Sequence, residues 1–168
     1  MSHLVIEAMI FATAAHAAVG QKRKYSGDDY IVHPARVANT VSEAGGSDEM
    51  IAAAWLHDVV EDTKVSSDVI LEVFGPLVHE LVVELTDLSK PEDGNRAVRK
   101  GIDADRLAVA SHDAQVVKLA DLIDNGADIA ANDPSFAKVF LKEKAHLLDV
   151  MDKVHTHPLF KVAINAIA

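Results

Sequence analysis

The segment His57-Asp58-Val59-Val60-Glu61-Asp62 gathers an imidazole and three carboxylates into six consecutive residues. Read as one continuous helix, it places His57, Asp58, Glu61 and Asp62 at roughly 0°, 100°, 40° and 140°. Trp55, Leu56, Val59 and Val60 fill the opposite arc, so one face packs inward while the other presents the polar set. Ionised groups this close repel one another unless a cation or a proton intervenes. The expectation is a metal site with acid/base groups beside it. His112-Asp113 repeats the dipeptide but follows Ser111 at the start of a predicted helix, where capping and the helix dipole account for it.

Two further segments carry ligand-type residues. In Val116-Val117-Lys118-Leu119-Ala120-Asp121-Leu122-Ile123-Asp124-Asn125, the residues Leu119, Ala120 and Ile123, with Ala127 beyond, form an apolar stripe of a central helix. Lys118, Asp121 and Asn125 cluster within roughly 60° on the other side, either as an exposed polar face or as a site. Asp121, flanked by Leu-Ala and Leu-Ile, is a candidate for a partly buried ligand. Tyr30-Ile31-Val32-His33-Pro34 sets His33 at a helix entrance, where it can cap, pack or ligate. Taken together, His33, His57, Asp58 and Asp121 make an N/O donor set that suits Mn, Fe, Co or Zn better than calcium. Such a site leaves open positions for water and a phosphate oxygen.

The basic run Gln21-Lys22-Arg23-Lys24 is either a solvated loop or a clamp for a phosphorylated substrate. Lys90, Arg96, Arg99 and Lys100 form a looser basic group, read for the most part as solvated helix surface. His16, among small residues, reads as packed and hydrogen-bonded. His79 and His146 read as helix surface or core, and His155-Thr156-His157 as a loop before Pro158. No Walker loop, dinucleotide fingerprint or nucleophile elbow is present.

Helical periodicity runs through nearly the whole chain, and strand-like alternation is almost absent, so the predicted fold class is all-α. Predicted helices cover about 3–19, 30–43 (with Pro34 in the first turn) and a third beginning at the Ser47 cap and carrying the acidic motif. A short helix ends at Gly75 and another runs from Pro76 to about Leu85. Helices over 96–110, 113–131 and 134–154 and a tail helix after Pro158 follow. The segments 21–29 and 86–95 read as loops.

At 168 residues the chain is expected to form a single domain over 1–168 with a substantial core. Its net charge of -10 argues against broad binding to nucleic acid or anionic membrane, though not against a small anionic ligand in a locally basic cleft. With 0 Cys there is no disulfide framework and no thiolate site. The Ala-rich start lacks a preceding Lys or Arg and is interrupted by Glu7 and His16, so it reads as an amphipathic helix rather than a signal peptide. No apolar run reaches the ~18 residues needed to span a bilayer, and a cytoplasmic location is expected.

These segments in this order resemble the HD-domain metal-dependent phosphohydrolases. More narrowly, they are similar to the guanosine tetraphosphate hydrolase domain of RelA/SpoT proteins and its stand-alone relatives. The resemblance is carried by the basic run, Tyr30-x-x-His33-Pro34, His57-Asp58-x-x-Glu61-Asp62-Thr63, Val83-Glu84-Leu85-Thr86-Asp87 and Val117-Lys118-Leu119-Ala120-Asp121. It implies a compact HD-domain helical bundle with a central metal site, in which His33, His57, Asp58 and Asp121 hold one Mn²⁺. Glu61 and Asp62 would position and deprotonate the attacking water. Arg23 and Lys24 would line the nucleotide site, and Asn125 would reach the ribose or the 3′ substituent. The implied reaction is hydrolysis of the 3′-diphosphate from (p)ppGpp to GDP or GTP and pyrophosphate, without the synthetase domain of the long bifunctional enzymes. One departure is Phe140, near which relatives often carry Tyr, so a polar contact from that ring is missing here. The competing reading is another HD phosphohydrolase, acting on ordinary nucleotides or on the 2′-phosphate of NADPH. A non-catalytic nucleotide sensor is disfavoured by the retained Glu61-Asp62, and a plain helical scaffold by the basic loop and the His-Pro element.

Overall fold

Helix α1 (His3–Ala18) starts where the Ser2 side chain accepts from the Val5 amide, and buries Val5, Ala8, Ala12 and His16 along one stripe. The computed structural model describes residues 1–166; Ile167 and Ala168, which the expected single domain includes, lie outside the described residues. The chain divides into a first unit, Met1–Thr86, and a second unit that begins at Asp87. All regular elements among the described residues are helical, and the one strand-type pairing is an isolated bridge between Lys22 and Asp29. No helix of the described residues is long and apolar enough to cross a membrane.

In the first unit, α1 is followed by α2 (Val32–Glu43), α3 (Asp48–Leu56), α4 (Val59–Asp62) and α5 (Ser67–Leu85). Ser47 caps α3 by accepting from the Met50 amide, as the sequence predicts. Ala52, Ala53, Ala54, Trp55 and Leu56 are all buried, so α3 is apolar on every side and packs against α1, α2 and α5. Within α5 the backbone breaks at Gly75 (φ 81, ψ 175), and Pro76 restarts the helix, as expected.

The acidic motif is not one continuous helix. Regular helix ends at Leu56 and resumes at Val59, with Asp58 at φ -100, ψ -4. In an unbroken helix the Asp58 amide would take the Ala54 carbonyl. Here His57 Nδ1 bonds to that carbonyl at 2.8 Å, so the ring competes for the ladder position and the turn opens.

The second unit holds α6 (Arg96–Val109), α7 (His112–Asn132), α8 (Pro134–Val150) and α9 (Pro158–Ala166), with short 3₁₀ turns at Pro91–Asp93 and Asp152–Val154. Asn95 and Ser111 cap α6 and α7 through their side-chain oxygens. Helix α8 stops short of the predicted Val154 because Met151 and Val154 are both fully buried, and a 3₁₀ turn points residues i and i+3 the same way. Helix α7 packs against both α8 and α9. Its buried face is therefore broader than the predicted stripe and shifted, taking in Val116, Val117, Leu119, Ala120, Leu122 and Gly126, while Ala127 is exposed. At Gly126 the Ala166 carbonyl oxygen lies 3.0 Å from where a Cβ would stand, so glycine permits the close approach of α9.

Candidate metal centre and its surroundings

His33, His57 and Asp58 come together in the first unit, each offering one donor atom within 4.8 Å of the others. His33 enters α2 with its amide bonded to the Tyr30 carbonyl at 2.9 Å, and its side chain is 1% exposed. Bonding of His57 Nδ1 to the Ala54 carbonyl leaves its Nε2 turned to Asp58 Oδ2 at 3.1 Å. His33 Nε2 lies 3.7 Å from the same oxygen, and the two imidazole centroids are 5.2 Å apart. Asp58 remains 19% exposed at the mouth of this pair. Two imidazole nitrogens and a carboxylate oxygen fit a divalent transition metal. The outer partners have the form that metal sites use: a backbone carbonyl sets the His57 tautomer, and the Tyr30 hydroxyl donates to Asp58 Oδ2 at 2.5 Å. Sequence reading placed Tyr30 in the motif but gave it no role, because a contact spanning 28 residues leaves no local pattern.

Glu61 and Asp62 occupy the single turn of α4, with Glu61 exposed. Asp62 Oδ2 accepts from Gln21 Nε2 at 2.8 Å, and Gln21 Oε1 lies 2.7 Å from His16 Nδ1. His16 is 1% exposed, the packed and hydrogen-bonded residue the sequence suggests. Partial burial raises the Asp62 pKa, with the Asp58 charge acting in the same direction and the Gln21 bond opposing it. The basic run folds into a tight loop in which the Arg23 amide donates to the Asp28 carbonyl at 2.8 Å. Arg23 is buried, while Lys24 is exposed, with its Nζ 4.7 Å from the Tyr25 ring centroid. Lys22 is committed to Asp29 at 2.5 Å.

Asp121 belongs to the second unit and is 4% exposed. Its Oδ2 pairs with Lys118 Nζ at 2.7 Å and its Oδ1 accepts from Asn125 Nδ2 at 2.5 Å, so the polar cluster expected from spacing is a bonded set. The same unit contains a cavity of about 500 Å³ whose lining includes Arg96, Lys100, Lys118, Lys144, Asp103 and Leu107. Arg96 grips Glu143 in bidentate fashion at 2.7 and 2.8 Å. Lys100 bonds Asp87 at 2.9 Å and Asp103 at 3.3 Å. Asp103 also accepts from the Ser89 amide and hydroxyl at 3.0 and 2.9 Å. Burial works against the Lys100 charge, but the Asp87 and Asp103 carboxylates outweigh it and raise its pKa. Burial, and then the neighbouring Lys118 charge, push the Lys144 amine down to about 8. Arg96 is exposed, as the solvated-surface reading expects, though paired with Glu143, whereas Lys100 departs from that reading because it is half-buried between two carboxylates. The available signal was the spacing Arg96, Lys100, Asp103, Leu107, which repeats on one face of α6. Phe140 is buried, with Lys144 Nζ 4.9 Å from its ring centroid.

Comparison with known proteins follows the same lines. The family model described as HD domain matches residues 8–148. A Synechocystis protein named as a probable guanosine-3′,5′-bis(diphosphate) 3′-pyrophosphohydrolase is 37% identical over 143 residues, which is 83% of this chain and 18% of that protein. A probable chloroplastic GTP diphosphokinase of Arabidopsis thaliana is 35% identical over 83% of this chain and 20% of its own length. The chain thus spans about a fifth of the curated relatives it matches. A solved structure of a metazoan ortholog of SpoT, a protein that hydrolyzes ppGpp and plays a role in starvation responses, superposes with TM-score 0.85 at 27% identity, covering 99% of this chain and 94% of its own. A Listeria monocytogenes structure shares the fold at TM-score 0.67 and 22% identity, over 80% of this chain and 95% of that one. By its matched span, its helical fold and its paired His57-Asp58, the chain belongs to the HD-domain family.

Proposed function

We propose that this chain hydrolyses the 3′-diphosphate of (p)ppGpp, with water as the second substrate, giving pyrophosphate together with GDP from ppGpp or GTP from pppGpp. The observation that carries this reading is likeness to the ppGpp-hydrolysing SpoT ortholog over nearly the full length of both chains. The name of the Synechocystis relative points the same way, and the clustered His33, His57 and Asp58 supply the donor set the chemistry needs. We take residues 1–168 as one functional domain, supported by a family match that runs through both units, acting on a small nucleotide in the cytoplasm.

His33, His57 and Asp58 would hold the divalent ion, Mn²⁺ in our reading, with Asp121 as the fourth ligand. When bound, such an ion supplies Lewis acidity, making a coordinated water more acidic and offsetting charge on the phosphoryl group. Glu61 and Asp62 receive the proton that the attacking water loses. The raised pKa of Asp62 suits a group that must take up a proton and release it again. Arg23 and Lys24 pair with the nucleotide phosphates, and Asn125 contacts the ribose or the 3′ substituent. Arg offers two parallel donors to a phosphate where Lys offers a point charge.

The test is to incubate the metal-stripped protein with ppGpp, with and without Mn²⁺, beside a panel containing NADPH and ordinary nucleotides. Equal amounts of GDP and pyrophosphate, formed only with the ion, are expected. Turnover in chelator, orthophosphate as the product, or preference for NADPH would overturn the reading. Glu61→Gln should lower kcat by about 10²-fold while leaving Mn²⁺ affinity unchanged; an unaltered kcat removes Glu61 from proton transfer.

A further inference from the structure

Gln21 stands between two side chains that lie far apart in sequence. Its amide nitrogen donates to Asp62 Oδ2 at 2.8 Å, 41 residues away, and its amide oxygen lies 2.7 Å from His16 Nδ1. The polarity of this chain is fixed by chemistry. An ionised carboxylate only accepts, so Gln21 must present its NH₂ to Asp62 and its oxygen to His16. His16 Nδ1 must then carry the hydrogen. The other ring nitrogen, Nε2, is buried with no hydrogen-bond partner among the described residues. That position suits a bare lone pair, because an unmet buried N–H carries a full desolvation penalty. The ring itself is held: it is 1% exposed in the last turn of α1 and lies 4.9 Å from the Tyr30 ring.

We propose that His16 and Gln21 are positioning residues, which fix the Asp62 carboxylate for proton transfer through one hydrogen-bond chain of set direction. The inference rests on the function proposed above. Asp62 ends a helix of a single turn, and Thr63 after it is already extended, so its own element does little to restrain the side chain. The Gln21 amide supplies the restraint without cancelling the carboxylate charge, which a lysine at the same place would do. The same wall also orients Asp58, since Tyr30 touches His16 with its ring and donates to Asp58 with its hydroxyl. A misplacement of about 1 Å in a reacting group costs on the order of 10²-fold in rate, so the loop before α2 governs kcat through its hold on Asp62.

The test is a double-mutant cycle on the Mn²⁺-loaded protein, read by single-turnover ppGpp hydrolysis. Gln21→Leu should lower kcat by about 10–100-fold, with KM within twofold. In an Asp62→Asn background the same change should cost less than twofold. His16→Phe should match Gln21→Leu, and His16→Asn, whose amide N–H can stand where Nδ1–H stood, should recover most of the rate. Independently of turnover, ¹⁵N NMR of the chelated protein should show His16 protonated on Nδ1 and bare on Nε2, with that preference lost in Asp62→Leu. Equal losses from Gln21→Leu in both backgrounds, a rise in KM alone, or His16 protonated on Nε2 would overturn the inference while leaving the hydrolase intact. Absence of ppGpp turnover by the unmodified chain would instead overturn the functional reading, and this inference with it.

Discussion

In the first unit, two neutral donors reach carboxylates: the Tyr30 hydroxyl donates to Asp58 and the Gln21 amide to Asp62. In the second, Asp87, Asp103 and Glu143 face the cations Lys100 and Arg96. The two arrangements leave different fields behind. A neutral donor orients a carboxylate and keeps its charge, which a divalent ion needs. A cationic partner cancels that charge on the spot, and around the cavity the Lys118 amine, itself paired with Asp121, helps to lower the Lys144 pKa. Asp121 combines both devices, with Lys118 on one oxygen and Asn125 on the other. The chain as a whole carries a net charge of -10, yet the lining of its second unit is rich in cations.

The largest effect should come from removing charge where it is kept. Asp58→Ala is expected to reduce metal-dependent hydrolysis on the order of 10³-fold or more, with helical circular dichroism preserved; a smaller loss would make Asp58 an outer partner. Next is the compensated carboxylate of the other unit. Asp103→Ala should lower unfolding stability by about 2 kcal/mol, read by denaturant titration, because it leaves two Ser89 donors unmet and Lys100 with Asp87 alone. Burial pushes the Asp103 carboxyl up, but the Ser89 bonds and Lys100 outweigh it and leave the pKa lowered. A lowered folded-state pKa gives stability that is complete above the unfolded carboxylate value of about 3.9 and is lost as pH falls through the folded value. The gap between wild type and Asp103→Asn should therefore be constant near neutrality and close in acid below that value.

Tyr30→Phe should weaken Mn²⁺ binding by about 10–100-fold in a calorimetric titration, with little change in thermal midpoint. An equal loss of stability and affinity would mean that Tyr30 serves the fold rather than the ligand. The smallest effect is expected at Arg96, whose side chain is 48% exposed in its pair with Glu143. Arg96→Ala should cost less than about 1 kcal/mol.

What could be read in advance divides along physical lines. Local hydrogen bonding writes itself into sequence, so the Ser47 and Ser111 caps and the break at Gly75 with restart at Pro76 were legible. Spacing within one helix also sufficed for Lys118, Asp121 and Asn125. The motif pointed to His33, His57 and Asp58 but not to the opened turn between α3 and α4. That turn depends on a ring nitrogen taking the Ala54 carbonyl, a choice that residue types alone do not determine. Contacts over long separations, Tyr30 to Asp58 and Gln21 to Asp62, left no trace in any window. The cation-lined cavity was hidden differently: a polar helix face facing other side chains looks the same in sequence as one facing water.

The proposed activity depends on one ion held by the paired imidazoles and Asp58. Calorimetric titration of Mn²⁺ into the metal-stripped chain, with His33→Ala and Asp58→Ala measured alongside, tests it most directly. One tight site per chain, absent in both variants, is the predicted result. Unchanged stoichiometry and affinity in either variant would contradict it.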